Sequence, residues 1–267
     1  MLVLDRMNDI SGKEALYAFA LDELLCRRTG RGGAPVCHIW RHPQAFILGL
    51  ADSRLSAAGE ARRQLEKEGW STAVRNSGGA AVPLDLGVVN VSLILPKDPG
   101  KSYHFHDDFE LMYRLLQKAL EPVGRKVEKG EIAGAYCPGE YDLSIGGYKF
   151  CGIAQRRQTH AVIIQAFIVA EGSGRERASR VRDFYEQASA GSLTGKHPVV
   201  TGESTASLEE LAPALFGDRG AETFAAAVKN AVLSRGSAAG EDNGSIGLDL
   251  PDEDEIADMT RSLRARY

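Results

Sequence analysis

The sequence predicts an α+β fold of mixed sheets packed with helices. Strand-like and helix-like stretches alternate along the chain with no internal repeat. Tight-turn signals join several strands as antiparallel hairpins, and the helical stretches are amphipathic, so each has a face to bury on a sheet.

Taken in order, Ser11-Gly12-Lys13-Glu14 has capping-box spacing. Its serine and glutamate would satisfy free N–H groups at a helix start. The helix runs through Leu16, Phe19, Leu21, Leu24 and Leu25 and ends at Gly30 to Gly33. Val36 to Trp40 and Ala45 to Leu50 read as two strands joined around His42-Pro43. Ser56 to Glu68 reads as a polar helix closed by Gly69, followed by a short strand from Thr72 to Val74. A strongly apolar strand spans Val89 to Leu95. Phe105 to Leu120 is a second long helix, packed by Phe109, Leu111, Met112, Leu115, Leu116 and Leu120. Asp142 to Ile145 alternates polar and apolar, Gly146-Gly147 is a two-residue hairpin turn, and Tyr148 to Gln155 returns antiparallel. Ala161 to Ala170 is a further apolar strand.

Beyond residue 200 the character changes. Ser207-Leu208-Glu209-Glu210 is another capping box, opening a short helix to Leu215. Ala221 to Leu233 is an alanine-rich helix, and Ser234 to Asn243 reads as a small-residue linker. Asp252 to Tyr267 is acidic at its start and basic at its end, which suits a helix dipole. The expected organisation is a main domain over 1–216 and a helical extension over 217–267.

Composition narrows the function classes. A chain of 267 residues buries a large core, and a net charge of −4 gives no argument for nucleic acid. The start, Met1-Leu2-Val3-Leu4-Asp5, lacks the apolar run of a signal peptide. No segment has the length and apolarity of a membrane span. Cysteines at 26, 37, 137 and 151 match neither a zinc spacing nor a disulfide framework. Together these predict a cytoplasmic enzyme. His104 and His106 flank Phe105 near Asp107 and Asp108, but a loop and helix cap account for them, and no metal is expected. Cys26 and Cys37 fall on apolar faces and read as core. Arg156-Arg157 is either a solvated strand end or a basic pair that steers an acidic carrier protein.

The chemistry concentrates in two blocks. Cys137 sits in Tyr136-Cys137-Pro138-Gly139, where Pro-Gly marks a turn rather than a core strand. The hairpin brings Lys149 back towards it. A thiol and a nearby ammonium are what a cysteine acyltransferase needs: the cation favours the thiolate and stabilises an oxyanion. Cys151 shares a strand face with Lys149 if alternation is regular, so it is a rival nucleophile or a pocket wall. The second block runs from Arg75-Asn76-Ser77-Gly78-Gly79-Ala80-Ala81 to Asp85 and Asn90. Its small residues let a ligand approach the backbone and leave a slot for an acyl chain. Asp85 and Asn90 read as loop-fixing residues.

This second block resembles the Arg-Arg-x-Ser-Gly-Gly-Gly-Ala…Asp-x-Gly-x-x-Asn signature of the lipoate–protein ligase, octanoyltransferase and biotin ligase superfamily. The Cys137 run and Lys149-Phe150-Cys151-Gly152-Ile153-Ala154-Gln155 look like one branch, the octanoyl-[glycine cleavage H protein]:protein octanoyltransferases. The resemblance covers roughly residues 1–216. It implies a lipoate–protein ligase/biotin ligase-like catalytic domain and an acyl-cysteine intermediate on Cys137. Lys149 would stand at the acyl carbonyl, and Arg75, Ser77, Gly78, Gly79, Ala80 and Gly152 would bind substrate. The implied partners are the glycine cleavage H protein as donor and the lipoyl domains of E2 subunits as acceptors, with no cofactor. The resemblance also favours Cys137 over Cys151, because that branch typically has a small non-thiol residue at the latter position. ATP-dependent ligases usually carry a third glycine where Ala80 stands and a histidine where Leu84 stands. The classical octanoyl-acyl-carrier-protein transferases place their cysteine after the lysine. A third branch, moving octanoate from acyl carrier protein to H protein, shares the order seen here, so the sequence leaves the donor open.

Overall fold

A computed structural model of the chain describes residues 1–10, 14–98, 100, 104–190, 197–238 and 248–266, with the backbone only over 235–238. Ten strands form two mixed sheets among the described residues. The larger contains β1 (Leu2–Arg6), β2 (Val36–Trp40), β6 (Val88–Pro96), β10 (Ala161–Val169), β9 (Tyr148–Arg157), β8 (Leu143–Ile145) and β7 (Glu128–Lys129), in that spatial order. Only β1 and β2 run parallel in it. The smaller sheet holds β4 (Ser71–Val74), β3 (Gln44–Leu48) and β5 (Val82–Asp85), with β3 parallel to β4 and antiparallel to β5. The expected α+β class of mixed sheets and helices is what the chain adopts.

The two central strands β6 and β10 are buried along nearly their whole length, so both faces of the large sheet are covered. On one face Val36, Trp40, Ile94, Ile163 and Phe167 pack with α1 (Tyr17–Thr29), the small sheet, α4 (Gly174–Ala188) and α8 (Glu253–Arg266). On the other, Ile39, Val91, Leu93, Ile164 and Ile168 pack with α3 (Phe105–Ala119) and α7 (Gly220–Ala238). Burying one such side chain stabilises by roughly 1.5–3 kcal/mol.

Differences from the sequence reading have local causes. The Ser11–Lys13 part of the first capping box lies outside the described residues. The helix it was to open begins at Tyr17, after Leu16, with no side-chain cap. Strands β2 and β3, consecutive in sequence, part into different sheets. The short helix after Ser207 has the full reciprocal capping box but stops as α5 (Leu208–Leu211). Pro213 lacks the N–H needed to continue and opens α6 (Pro213–Phe216) instead. Helix α7 continues through Ser234 to Ala238, so the expected linker begins as helix, and residues 239–243 lie outside the described residues. The polar helix is α2 (Ala58–Lys67). Among the described residues, three strands and one α-helix escaped the sequence reading: β1, β5, β7 and α4. For α4 the signal was present, since Ser173 caps the N–H of Glu176 in the Ser-x-x-Glu spacing read elsewhere.

Candidate active site

The site forms where the small sheet faces the large one. Cys137 lies midway along the segment that leads from β7 to β8. Its φ of +49° is left-handed, a conformation that costs a non-glycine residue roughly 1–3 kcal/mol. Three anchors hold it there. The Asp142 N–H donates to the Gly139 carbonyl at 3.0 Å and closes the turn. Lys149 Nζ donates to the carbonyls of Tyr136 at 2.8 Å and Cys137 at 2.6 Å. The same nitrogen lies 2.8 Å from Asp142 Oδ2. Lys149 is fully buried, so this ring of three acceptors offsets a desolvation cost of several kcal/mol. Its backbone is held as well: Lys149 N–H donates to Ser204 O, and Ala206 N–H donates to Lys149 O. The strap from Thr201 to Ala206 also bonds Gly134 and Ala133, just before the turn.

The sulfur faces the other block. Arg75 Nη2 lies 3.2 Å from Cys137 Sγ, and the Ala80 N–H donates to Sγ at 3.3 Å. Lys149 makes no hydrogen bond to the sulfur, so the cation in direct contact with the thiol is Arg75. Gly79, at φ +104°, makes this approach possible. A Cβ there would stand 2.2 Å from Arg75 Nη2 and 3.1 Å from Sγ. The loop is pinned from behind by a buried relay. Tyr185 accepts from Ala81 N–H at 3.2 Å and donates to Asp52 Oδ1 at 2.9 Å, while Asp52 Oδ2 accepts from Gly49 N–H.

A cavity of about 260 Å³ opens beside the thiol. That is near the low end of the roughly 300–1,000 Å³ usual for small-ligand sites. Phe19, Ile47, Val82, Leu84 and Phe167 make its wall apolar. Arg75, Gly78, Gly79, Cys137 and Gly152 also border it, so the structure brings most of the expected site residues together. Gly152 is small for a reason: a Cβ would meet the Phe167 ring at 2.6 Å. Ser77 stands apart from the wall, its buried Oγ without a hydrogen-bond partner.

The remaining expectations meet different outcomes. Cys151 does not share a face with Lys149. Leu143 pairs with Cys151 but Ser144 pairs with Lys149, a register shift that leaves Phe150 as an extra residue. The bulge turns Cys151 into the opposite core, beside Ile168, where burial pushes its thiol well above the ordinary range. Arg156 pairs with Glu23, and Arg157 pairs with Asp108 at 2.6 Å, so both guanidiniums are engaged by the chain's own carboxylates. Asp85 fixes its loop, held bidentately by Arg177 at 2.8 and 2.6 Å. Asn90 instead borders the cavity, its Nδ2 unpaired, as is the Nε1 of neighbouring Trp40. Cys26 and Cys37 are core residues whose thiols burial raises to about 12. Among the described residues no group of three His, Cys, Asp or Glu side chains is placed to hold a metal, and no helix is long and apolar enough to cross a membrane.

Sequence reasoning missed Asp142. It is 1 % exposed, borders the cavity, and contacts Lys149. Burial raises its carboxyl to about 6, against the lowering effect of Lys149. In the sequence it looked like the polar partner in an alternating strand, and nothing there signalled burial.

Comparison with known proteins places the chain in a family. The lipoyl protein ligase A/B catalytic domain matches residues 14–233. The chain belongs to this family. Within it, the chain is 41% identical over 202 residues to an octanoyl-[GcvH]:protein N-octanoyltransferase of Macrococcus caseolyticus, covering 75% of this chain and 73% of that protein. It is 44% identical over 200 residues to the enzyme of that name from Anoxybacillus flavithermus, covering 74% and 72%. The resemblance read from the Ser-Gly-Gly block and the Cys137 run is therefore borne out, and the chain is an acyltransferase of this branch. Among solved structures, lipoate-protein ligase A bound with ATP aligns with a TM-score of 0.69 at 19% identity, covering 100% of this chain and 95% of that one. The lipoic-acid-bound Ta0514 protein of T. acidophilum aligns at 0.67 and 18% identity, covering 99% and 94%. These two speak to the fold.

Proposed function

We propose that the protein moves an octanoyl group from the glycine cleavage H protein to the lipoyl-domain lysine of E2 subunits, in the cytoplasm, through a thioester on Cys137. As a member of its branch it is an N-octanoyltransferase of lipoate assembly. The observation that supports the covalent route is the sulfur's setting: a guanidinium and a backbone N–H on Sγ, at the wall of an apolar cavity. Both donors stand at the atom that would attack the carbonyl carbon.

The acyl chain enters along Gly78 and Gly79 and lies against Phe167 and Gly152. Cys137 attacks the acyl carbonyl, the donor's lysine leaves, and the thioester remains. The acceptor lysine then attacks and takes the acyl group as an amide. Lys149 positions the reacting turn by holding the carbonyls of Tyr136 and Cys137. Because one amide replaces another, the exchange is near neutral in free energy and needs no nucleoside triphosphate.

The test is mass analysis of both carrier proteins over time, with octanoyl-H protein, an unmodified lipoyl domain and no nucleotide. The expected result is transfer in both directions, abolished by thiol alkylation. Strict dependence on ATP, or activity surviving complete alkylation, overturns the covalent route. Transfer from octanoyl-acyl carrier protein and never from octanoyl-H protein overturns the donor.

A further inference from the structure

Displacing an amine from an amide raises a question of protons. A thiolate adds to the carbonyl, but the tetrahedral adduct expels the thiolate again unless the nitrogen is protonated as it leaves. Some group at the cavity must supply that proton and recover it when the acceptor amine attacks.

The residues around the thiol narrow the choice. Arg75 carries a guanidinium, a donor with no acceptor site, which does not suit it to cycling a proton. Lys149 is committed to the turn, donating to the Tyr136 and Cys137 carbonyls and lying 2.8 Å from Asp142 Oδ2 as an ion pair. Burial drives the phenols of Tyr136 and Tyr185 far above neutrality. Cys151 faces the other core. Asp142 remains. It borders the cavity with Cys137, Gly139 and Gly152, and Lys149 Nζ lies 2.8 Å from its Oδ2.

We propose that Asp142 is the acid–base residue of the reaction, giving its proton to the departing amine nitrogen and taking one back from the attacking amine. The inference rests on the reading that Cys137 displaces an amine. In the first half-reaction the C–S bond forms, the C–N bond breaks, and the carboxyl proton of Asp142 goes to nitrogen. The products are the thioester, a neutral amine and the Asp142 carboxylate. In the second half, neutral acceptor amine attacks, its proton passes to that carboxylate, the new C–N bond forms, and the C–S bond breaks to regenerate thiolate. Burial holds the Asp142 carboxyl at about 6, where both forms are accessible near neutral pH. The groups coupled to it are Lys149 on β9, Glu131 before the turn, Tyr136 on the turn and Cys151 behind the bulge.

The experiment compares two acyl donors in single-turnover acylation of Cys137, followed by intact mass. The octanoyl amide of H protein needs the proton, whereas octanoyl-coenzyme A does not, because a thiolate leaves unaided. Asp142→Asn is expected to slow acylation by the amide roughly 10²–10⁴-fold, the usual worth of a general acid, and acylation by the thioester less than about tenfold. Equal losses with both donors, as expected if Asp142 only steadies Lys149, overturn the proposal. If the variant does not fold, the wild-type enzyme decides. The ratio of amide to thioester rates is expected to fall as pH rises above about 6, and a flat ratio overturns the assignment. Failure of wild-type Cys137 to accept the octanoyl group from either donor would instead reject the covalent route itself.

Discussion

Cys137 and Cys151 lie fourteen residues apart in one hairpin region, on either side of Lys149, yet they meet opposite fates. Cys137 sits on a left-handed turn with two donors at its sulfur. Cys151 sits in a strand beside the bulge, fully buried, its thiol 3.8 Å from the Gly152 carbonyl. The difference shows that a thiol's chemistry follows from what faces it, more than from its distance along the chain to a cation. One bulged residue, Phe150, decides which of the two stands on the cavity side.

The sharpest way to break the comparison is to remove each sulfur in turn. Cys137→Ser should abolish transfer, by about 10⁴-fold or more as for other lost nucleophiles. Cys151→Ala should keep activity within a few-fold and lose roughly 1 kcal/mol of stability from the small cavity left behind. Peptide mapping of the acyl adduct checks both, and an adduct at Cys151 would reverse the assignment.

A middle-sized effect is expected at Lys149. Lys149→Ala frees the carbonyls that fix the Cys137 turn, so acylation should slow roughly 10²–10³-fold, the range seen when a preorganised donor is lost. Lys149→Arg should rescue poorly, since a planar fork does not fit three acceptors converging on one compact ammonium. Single-turnover rates read this, and near-normal rates in the alanine variant would make the lysine a packing residue no different in kind from Cys151.

The smallest effect concerns stability and pH. The Asp142 carboxyl is raised to about 6 in the folded chain. The fold therefore binds this proton more tightly than the unfolded chain, and the stability so gained is present at low pH and lost as pH rises through 6. Between pH 4.5 and 7.5 the loss is about 2 kcal/mol. Asp142→Asn should abolish that part of the slope, measured as the difference in melting temperature between variant and wild type at the two pH values. An unchanged slope would mean that the Cys137 side of the hairpin carries no perturbed carboxyl.

Much of this was legible in the sequence because it rests on local chemistry. The Gly146-Gly147 hairpin could be read since both turn residues need positive φ, and both have it, at +61° and +84°. The Cys137 turn and the Ser-Gly-Gly block were legible through Pro-Gly and runs of small residues. What escaped depends on distant partners. Whether Asp142 meets solvent or Lys149 is fixed by packing of the strap around residue 204, some sixty residues further on. The bulge at Phe150 leaves the alternation of the strand intact to the eye. The partition of β2 and β3 into separate sheets follows from which strands arrive later to pair with each.

The location of the site between two sheets has one more consequence. Arg75 and Ala80 extend from the small sheet, while Cys137, Lys149 and Asp142 belong to the margin of the large one. The sulfur gains both of its donors only when the two sheets are docked. A chain in which the layers are separated lacks both contacts at position 137. The surroundings of this sulfur are thus a product of tertiary docking rather than of the local turn alone.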